Sequence, residues 1–379
     1  MSSHTPRARV RAALGHEEPD RVPVDLGGTF VSGIVVSAYE KLCAYLGLPA
    51  ASAVAGGYHS TAPVAEEVLV RLGSDTRGVA VNTPELWTLS QEDGLRTDGW
   101  GVTWARPAQG HYYVVRSPLA GEPSVADVER LPFPDPEDPR IVEGLCERVR
   151  YLRDQTDYAV CLSLPSRLVH TIQYLRGYAE ALIDLVANQA VIEALMERIT
   201  DFNVRVMERV LALVGRSIDV LCVGDDLGTQ KGLLLRPETY RRLIKPRQRR
   251  LLEAARRHTD ATLFYHTCGS VTAVIPDLIE MGVQALNPIQ VSAAEMAPER
   301  LKREYGRELV FWGAVDTQRV LPQGSPAEVA AEVRRRFREL GPGGGWVCAA
   351  VHHIQAEVPP ENIVALFETA RECVYAPAA

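Results

Sequence analysis

A (β/α)8 barrel of the TIM type is the fold that this 379-residue sequence predicts, and three observations carry it. Short apolar runs rich in β-branched residues recur eight times. Segments long enough to be crossover helices lie between them. No G-x-G-x-x-G follows the first run, so the dinucleotide crevice of an open, doubly wound sheet is not signalled. Near-continuous apolar runs suit parallel strands covered on both faces, and a closed parallel barrel follows.

The runs are 22–26 (VPVDL), 78–81 (GVAV), 159–163 (AVCLS), 218–223 (IDVLCV), 262–266 (TLFYH), 283–287 (VQALN), 309–313 (LVFWG) and 346–350 (WVCAA). The segment 93–139 breaks the rhythm. Asp93-Gly94 and Asp98-Gly99 signal turns, Trp100, Val102 and Trp104 alternate, and His111-Tyr112-Tyr113-Val114-Val115 follows. This predicts an antiparallel hairpin inserted after the second strand. Six prolines from Pro118 to Pro139 then return the chain in an extended loop around a barrel end.

Helix signals agree with this plan. Ile192, Leu195, Ile199, Phe202, Val206 and Val210 step by three or four and form one packing stripe. Ser325-Pro326-Ala327-Glu328 reads as a capping box with proline at the first helical position, and Gly341 closes that helix. Pro359-Pro360 opens a last helix, with Ile363, Leu366, Phe367 and Val374 at helical spacing, that closes the barrel. The glycine-rich stretch 341–345 precedes the eighth strand, so it belongs to the end opposite the mouth and is read as a turn rather than a phosphate loop. No internal repeat is visible, and 1–379 is taken as a single barrel domain.

Hydrophobic residues make up 46% and charged residues 23%, which excludes disordered, collagen-like and small disulfide-stapled classes. Lys and Arg total 41 against 48 Asp and Glu, a net charge of −7, and no dense basic block could track a phosphate backbone. Nucleic acid is therefore not an expected partner. No apolar run approaches the ~18 residues of a membrane helix, and the first residues lack the apolar core of a secretion signal, so no membrane contact and a cytoplasmic location are expected. The seven cysteines are scattered and odd in number, which suits reduced thiols serving as core filler or metal ligands.

In such a barrel the working groups stand where strands end. The fifth strand leaves through Tyr265-His266-Thr267-Cys268-Gly269-Ser270, and the eighth carries Cys348. His266 and Cys268, two apart in extended chain, share a face. With Cys348 they would make a three-ligand site with an open fourth position, the pattern of catalytic zinc. The alternative is that both thiols are buried small hydrophobes and His266 is a satisfied core histidine; the residues alone leave both open. Two thiolates would cancel the charge of Zn²⁺, and such a site suits alkyl transfer better than hydrolysis.

Other exits supply further candidates. Asp225 and Asp226 point to opposite sides, so one is a candidate catalytic carboxylate and its neighbour anchors a loop. Glu85 and His352-His353 are candidates for an outer shell or a proton shuttle. Asp316 either orients substrate or makes an Asx turn. Trp100 and Trp104, with Tyr265 at the fifth exit, are candidate substrate contacts, although packing of the hairpin explains the tryptophans equally well.

His266-Thr267-Cys268-Gly269, the segments GDDLGTQ at 224–230 and WGAVDTQ at 312–318, and Cys348 together resemble the uroporphyrinogen decarboxylase superfamily. Within it they most resemble the zinc- and corrinoid-dependent methyltransferase branch. The resemblance runs from about residue 20 to the end and is most specific in the second half. It implies a TIM barrel that binds zinc through His266, Cys268 and Cys348. It also implies methyl exchange with a cobamide carried by a separate corrinoid protein, and a homodimer at the level of the family. The D-x-H-x-x-G motif of corrinoid proteins is absent, so the cobamide must arrive on a partner.

The chain departs from the decarboxylase branch. Asp25-Leu26-Gly27-Gly28-Thr29-Phe30 stands where those enzymes carry an arginine-rich R-Q-A-G-R segment, which leaves porphyrinogen decarboxylation as an alternative. A catalytically silent barrel that only binds a partner is a third reading. The branch divides by direction, from corrinoid to a thiol such as coenzyme M, or from a methylated substrate to cob(I)amide. Trp100, Trp104, Tyr112 and Tyr113 supply aromatic walls, and no Arg or Lys is evident at the strand exits to clamp a sulfonate. The expectation is demethylation of a small methylated donor, most plausibly an aromatic methyl ether.

Overall fold

The computed structural model describes residues 4–50, 60–107 and 110–376. In chain order, β1 (Thr76–Ala80) precedes four short strands, β2 (Ser90–Glu92), β3 (Leu95–Thr97), β4 (Thr103–Ala105) and β5 (Tyr113–Arg116). Six further strands follow: β6 (Ala159–Ser163), β7 (Val220–Gly224), β8 (Thr262–His266), β9 (Ala285–Asn287), β10 (Val310–Val315) and β11 (Trp346–Ala350). The sheet order β1-β6-β7-β8-β9-β10-β11 is parallel throughout and follows the chain, as a curled α/β barrel requires.

The segment 22–26 fills the remaining gap without forming a regular strand. On one side Cys348 N–H donates to Pro23 O at 2.9 Å and Asp25 N–H donates to Cys348 O at 3.0 Å; on the other, Asp75 N–H donates to Val24 O at 2.8 Å. Side chains take over the rest of the ladder: the Asp75 carboxylate accepts from Val24 N–H at 2.9 Å, and Ser74 Oγ from Leu26 N–H at 3.1 Å. Pro23 has no N–H to give. The predicted first strand is thus a bridging stave, and the other seven runs form strands within one or two residues of their expected bounds.

Two apolar layers result from the two-residue period of the strands. Cys161, Cys222, Phe264, Trp312, Val347 and Ala349 fill the barrel interior. Their alternates, among them Tyr265, Trp346, Cys348 and Ala350, face the surrounding helices.

The insertion differs from the single hairpin expected. It is an antiparallel sheet of order β2-β3-β4-β5. Both turn signals are real: Asp93 and Gly94 turn with positive φ of 49° and 78° between β2 and β3, and Asp98 ties the next connection by accepting from Trp100 N–H at 2.9 Å and Val102 N–H at 3.0 Å. Two signals meant two tight turns. The capping box at Ser325 and Glu328 is present on the helix Pro326–Leu340. Val374 lies past the end of the helix Pro360–Glu372 and bridges to Arg21 instead of continuing the apolar stripe. Gly345 N–H donates to Ala13 O, which places the glycine-rich turn against the helix Pro6–Leu14, away from the mouth. Among the described residues no helix is long and apolar enough to cross a membrane.

Candidate metal and substrate site

His266 ends β8 on its inward face and is 5% exposed. Its Nδ1 lies 2.6 Å from Asn287 Oδ1 at the end of β9, while Asn287 Nδ2 donates to Trp312 O at 3.1 Å. The asparagine oxygen is thereby the acceptor, so His266 Nδ1 carries a hydrogen and Nε2 is the nitrogen that faces the mouth, with a lone pair to offer once the ring is neutral. That nitrogen is 3.5 Å from Cys268 Sγ and 3.4 Å from Asp226 Oδ1. The rings of His266 and His352 are 5.5 Å apart, and the ligand atoms of His266, Cys268 and His352 all lie within 4.8 Å of one another. Two imidazoles and a thiol so arranged match the donor set of a three-ligand zinc site.

Cys348, the third ligand expected from the sequence, is not part of this group. Its neighbours Val347 and Ala349 face the barrel interior, so Cys348 faces the helical layer, where burial and the nearby Cys373 push its thiol well above the usual range. His352, expected as a catalytic residue acting from an outer shell or as a proton shuttle, is instead the third member of the group, just past the end of β11.

The adjacent aspartates divide as the alternation requires. Asp225 Oδ2 accepts from the backbone N–H groups of Leu168 at 2.7 Å and Val169 at 2.5 Å, and Oδ1 accepts from His170 N–H at 3.2 Å. It anchors the helix Val169–Arg176 and also lies 3.0 Å from His170 Nδ1, which makes it a positioning group and corrects its assignment as a catalytic one. Asp226 faces the site: Oδ1 accepts from Cys268 N–H at 2.9 Å, and Oδ2 lies 3.6 Å from His170 Nε2. Burial works to raise the Asp226 carboxyl, but hydrogen bonding and charge from His266, with His170 behind, hold it well below the usual carboxylate range. Burial likewise works to lower His266, yet Cys268 and Asp226 together raise it to about 10.

Glu85, on the turn Pro84–Leu86, lines a cavity of about 320 Å³ together with Phe30, Leu164, Arg167, Asn203 and His353. Phe30 meets the His266 ring edge-on at 5.6 Å, and His353 is 4.6 Å from His352, so the cavity adjoins the ligand group. Gly33 N–H donates to His353 Nδ1 at 3.2 Å; a Cβ at Gly33 would stand 3.1 Å from that nitrogen.

The remaining expected contacts are corrected. Trp100 is buried with its ring 5.3 Å from Phe133 and 4.9 Å from Phe202, so it packs the insertion onto the helix Gln189–Val214. Trp104 donates Nε1–H to Asp98 Oδ2 at 2.8 Å and stacks edge-on against Tyr174. Tyr265 faces outward, where its hydroxyl accepts from Gln248 Nε2 at 2.6 Å. Asp316 Oδ1 accepts from Gln318 N–H at 2.9 Å, the Asx turn that was its other reading.

Phe30, Arg167, His170 and Asn287 were missed. Arg167 and Asn287 are themselves at strand exits, after β6 and at the end of β9.

Residues 111–373 match the family model described as uroporphyrinogen decarboxylase (URO-D). Among solved structures, the chain is similar in fold to a methyltransferase from Methanosarcina mazei, at 17% identity over 98% of this chain and 99% of that one, with a TM-score of 0.67. The 3-keto-D-glucoside 4-epimerase YcjR from E. coli aligns over 61% of this chain and 95% of its own at 14% identity, but its TM-score of 0.37 carries no argument. No curated protein matches the chain.

Proposed function

We propose that this chain, which belongs to the uroporphyrinogen decarboxylase (URO-D) family, is a zinc-dependent methyltransferase that moves a methyl group between a small substrate and the cobamide of a separate corrinoid protein. The observation that carries this reading is the convergence of His266, Cys268 and His352 at the barrel mouth. A zinc ion bound there supplies Lewis acidity to the substrate atom that gives up or accepts the methyl group.

The chain's own groups do the rest. Asn287 fixes the tautomer and aim of His266, and Asp226 tethers the Cys268 backbone. His170, steadied by Asp225 at 3.0 Å, stands behind Asp226, so the pair can hold the proton that a departing alkoxide or phenolate takes up. Phe30 and Leu164 contribute apolar wall on the cavity side. One thiolate rather than two leaves net positive charge on the proposed centre, which favours stabilising an oxygen leaving group. In the demethylation direction the C–O bond breaks with its electron pair staying on oxygen, and the methyl group passes to cob(I)amide. An aromatic methyl ether suits that direction.

Decarboxylation of a porphyrinogen fits less well. The cavity is at the small end of the ~300–1,000 Å³ range of ligand pockets, and Arg167 is the only guanidinium among its described lining residues. In the segment where an arginine-rich stretch would stand, Asp25 is buried and bonded to Thr76, Trp312 and Gly28. Arg167 does, however, remove the argument that no cation stands at the exits. It favours a second reading, methyl transfer to a thiol bearing a sulfonate.

The test mixes the enzyme, the organism's reduced corrinoid proteins and a panel of methyl ethers. Growth of methylcobamide absorbance is expected with a phenyl methyl ether. Silence with every donor, together with demethylation of methylcobamide by added thiol, would reverse the direction.

A further inference from the structure

The cavity beside the ligand group contains polar groups that the chain itself does not satisfy. Glu85 Oε2 is shut off from solvent and has no hydrogen-bond partner among the described residues. Asn203, 4% exposed on the helix Gln189–Val214, makes no side-chain hydrogen bond among them. Arg167 forms neither an ion pair nor a side-chain hydrogen bond there; its guanidinium lies 5.7 Å from the centre of the Phe30 ring. All three line the same cavity, whose remaining walls mix apolar side chains such as Phe30, Val81 and Leu164 with the hydroxyl groups of Thr83 and Ser163. Glu85 and Arg167 do not neutralise each other, since no ion pair joins them.

A shielded acceptor without a donor costs about 1–3 kcal/mol, and buried polar groups are nearly always paired. Two opposite charges and an amide left open around one small cavity therefore describe the complement of a ligand. We infer that the substrate is a small oxyanion, its carboxylate or sulfonate bound by Arg167 and a hydrogen-bond donor on its far side bound by Glu85, with Asn203 reading a polar group between. This inference rests on the methyltransferase reading only in taking the cavity as that enzyme's substrate pocket. The guanidinium fork matches a planar carboxylate in two parallel bonds, and the aromatic face of Phe30 steadies it. A neutral ether would leave Arg167 and Glu85 unanswered.

The test is binding of probes to the intact, zinc-loaded protein by calorimetry. The probes are 3-methoxybenzoate, methoxybenzene, 4-hydroxy-3-methoxybenzoate and 2-mercaptoethanesulfonate. At least one of the two oxyanion types should bind ten times or more as tightly as methoxybenzene, and Arg167→Leu should erase that advantage while Arg167→Lys keeps part of it. Glu85→Gln should reduce the preference for the hydroxylated acid over 3-methoxybenzoate. If the carboxylates carry the Arg167-dependent advantage, the oxyanion sits on the methyl donor; if only the sulfonate does, it sits on a thiol acceptor. Equal affinity for acid and neutral probes, or an advantage untouched in Arg167→Leu, overturns the inference. Binding through Arg167 in a protein that carries no zinc would end the methyltransferase reading and leave the subsite standing, whereas zinc without any oxyanion preference would do the reverse.

Discussion

The exits of β8 and β11 carry the same two residue types and use them differently. In β8 the strand ends on His266, and Cys268 lies two residues beyond the end; in β11 the strand ends on Ala350, Cys348 lies two residues before the end, and His352 two beyond. Cys268 and His352 both reach the mouth. Cys348 instead packs against the outer helices. Position relative to the strand end and parity along the strand, not softness of the side chain, decide which group can serve as ligand.

The largest test of that difference is on the β8 side. Cys268→Ala removes the only thiol of the ligand group, so methyl transfer should fall to background in a single-turnover assay while circular dichroism stays native. Retained transfer would break the comparison. Asn287→Leu should act next most strongly. Freeing His266 to rotate and change tautomer should weaken zinc affinity about 10- to 100-fold in a chelator competition, and an unchanged affinity would show that the Asn287 bond does not aim the ligand.

The metal-free protein should show a distinctive pH response. His266 has a folded value of about 10 against 6.5 when unfolded, so its contribution to stability is complete below pH 6.5 and is lost as pH rises through 10. Asp226 has the opposite sign: its contribution is present above its usual value of 3.8 and is lost only in stronger acid. Denaturant titrations of metal-free protein from pH 5 to 10 should therefore show falling stability, and zinc, by displacing the His266 proton, should flatten the profile. A flat profile without metal would contradict the assigned electrostatics. The smallest effect is expected at Cys348→Ala, a loss of about 1 kcal/mol from a buried side chain with transfer intact.

Much of the barrel was legible in the chain. Parallel strands covered on both faces print continuous apolar runs such as AVCLS at 159–163, and the Ser325–Glu328 box and Asp93-Gly94 turn are local codes that tertiary contacts did not override. His266 and Cys268 were legible because they sit together at one exit. Cys348 misled because residue type was weighed without strand parity, although the inward Val347 and Ala349 on either side follow from the two-residue period. Trp100 and Trp104 were ambiguous for a different reason. An aromatic ring serves a pocket wall or a packing interface equally, and only its partners Phe133 and Phe202, the latter about a hundred residues away, decide for Trp100. Arg167 and Glu85 share a cavity through contacts between distant segments that no local pattern announces.

The central claim, that His352 and not Cys348 completes the metal site, is tested most directly by zinc analysis of three proteins purified without chelators: the natural chain, His352→Ala and Cys348→Ala. About one zinc per chain is expected in the natural protein and in Cys348→Ala, with little or none in His352→Ala. Zinc retained in His352→Ala and lost in Cys348→Ala would contradict it.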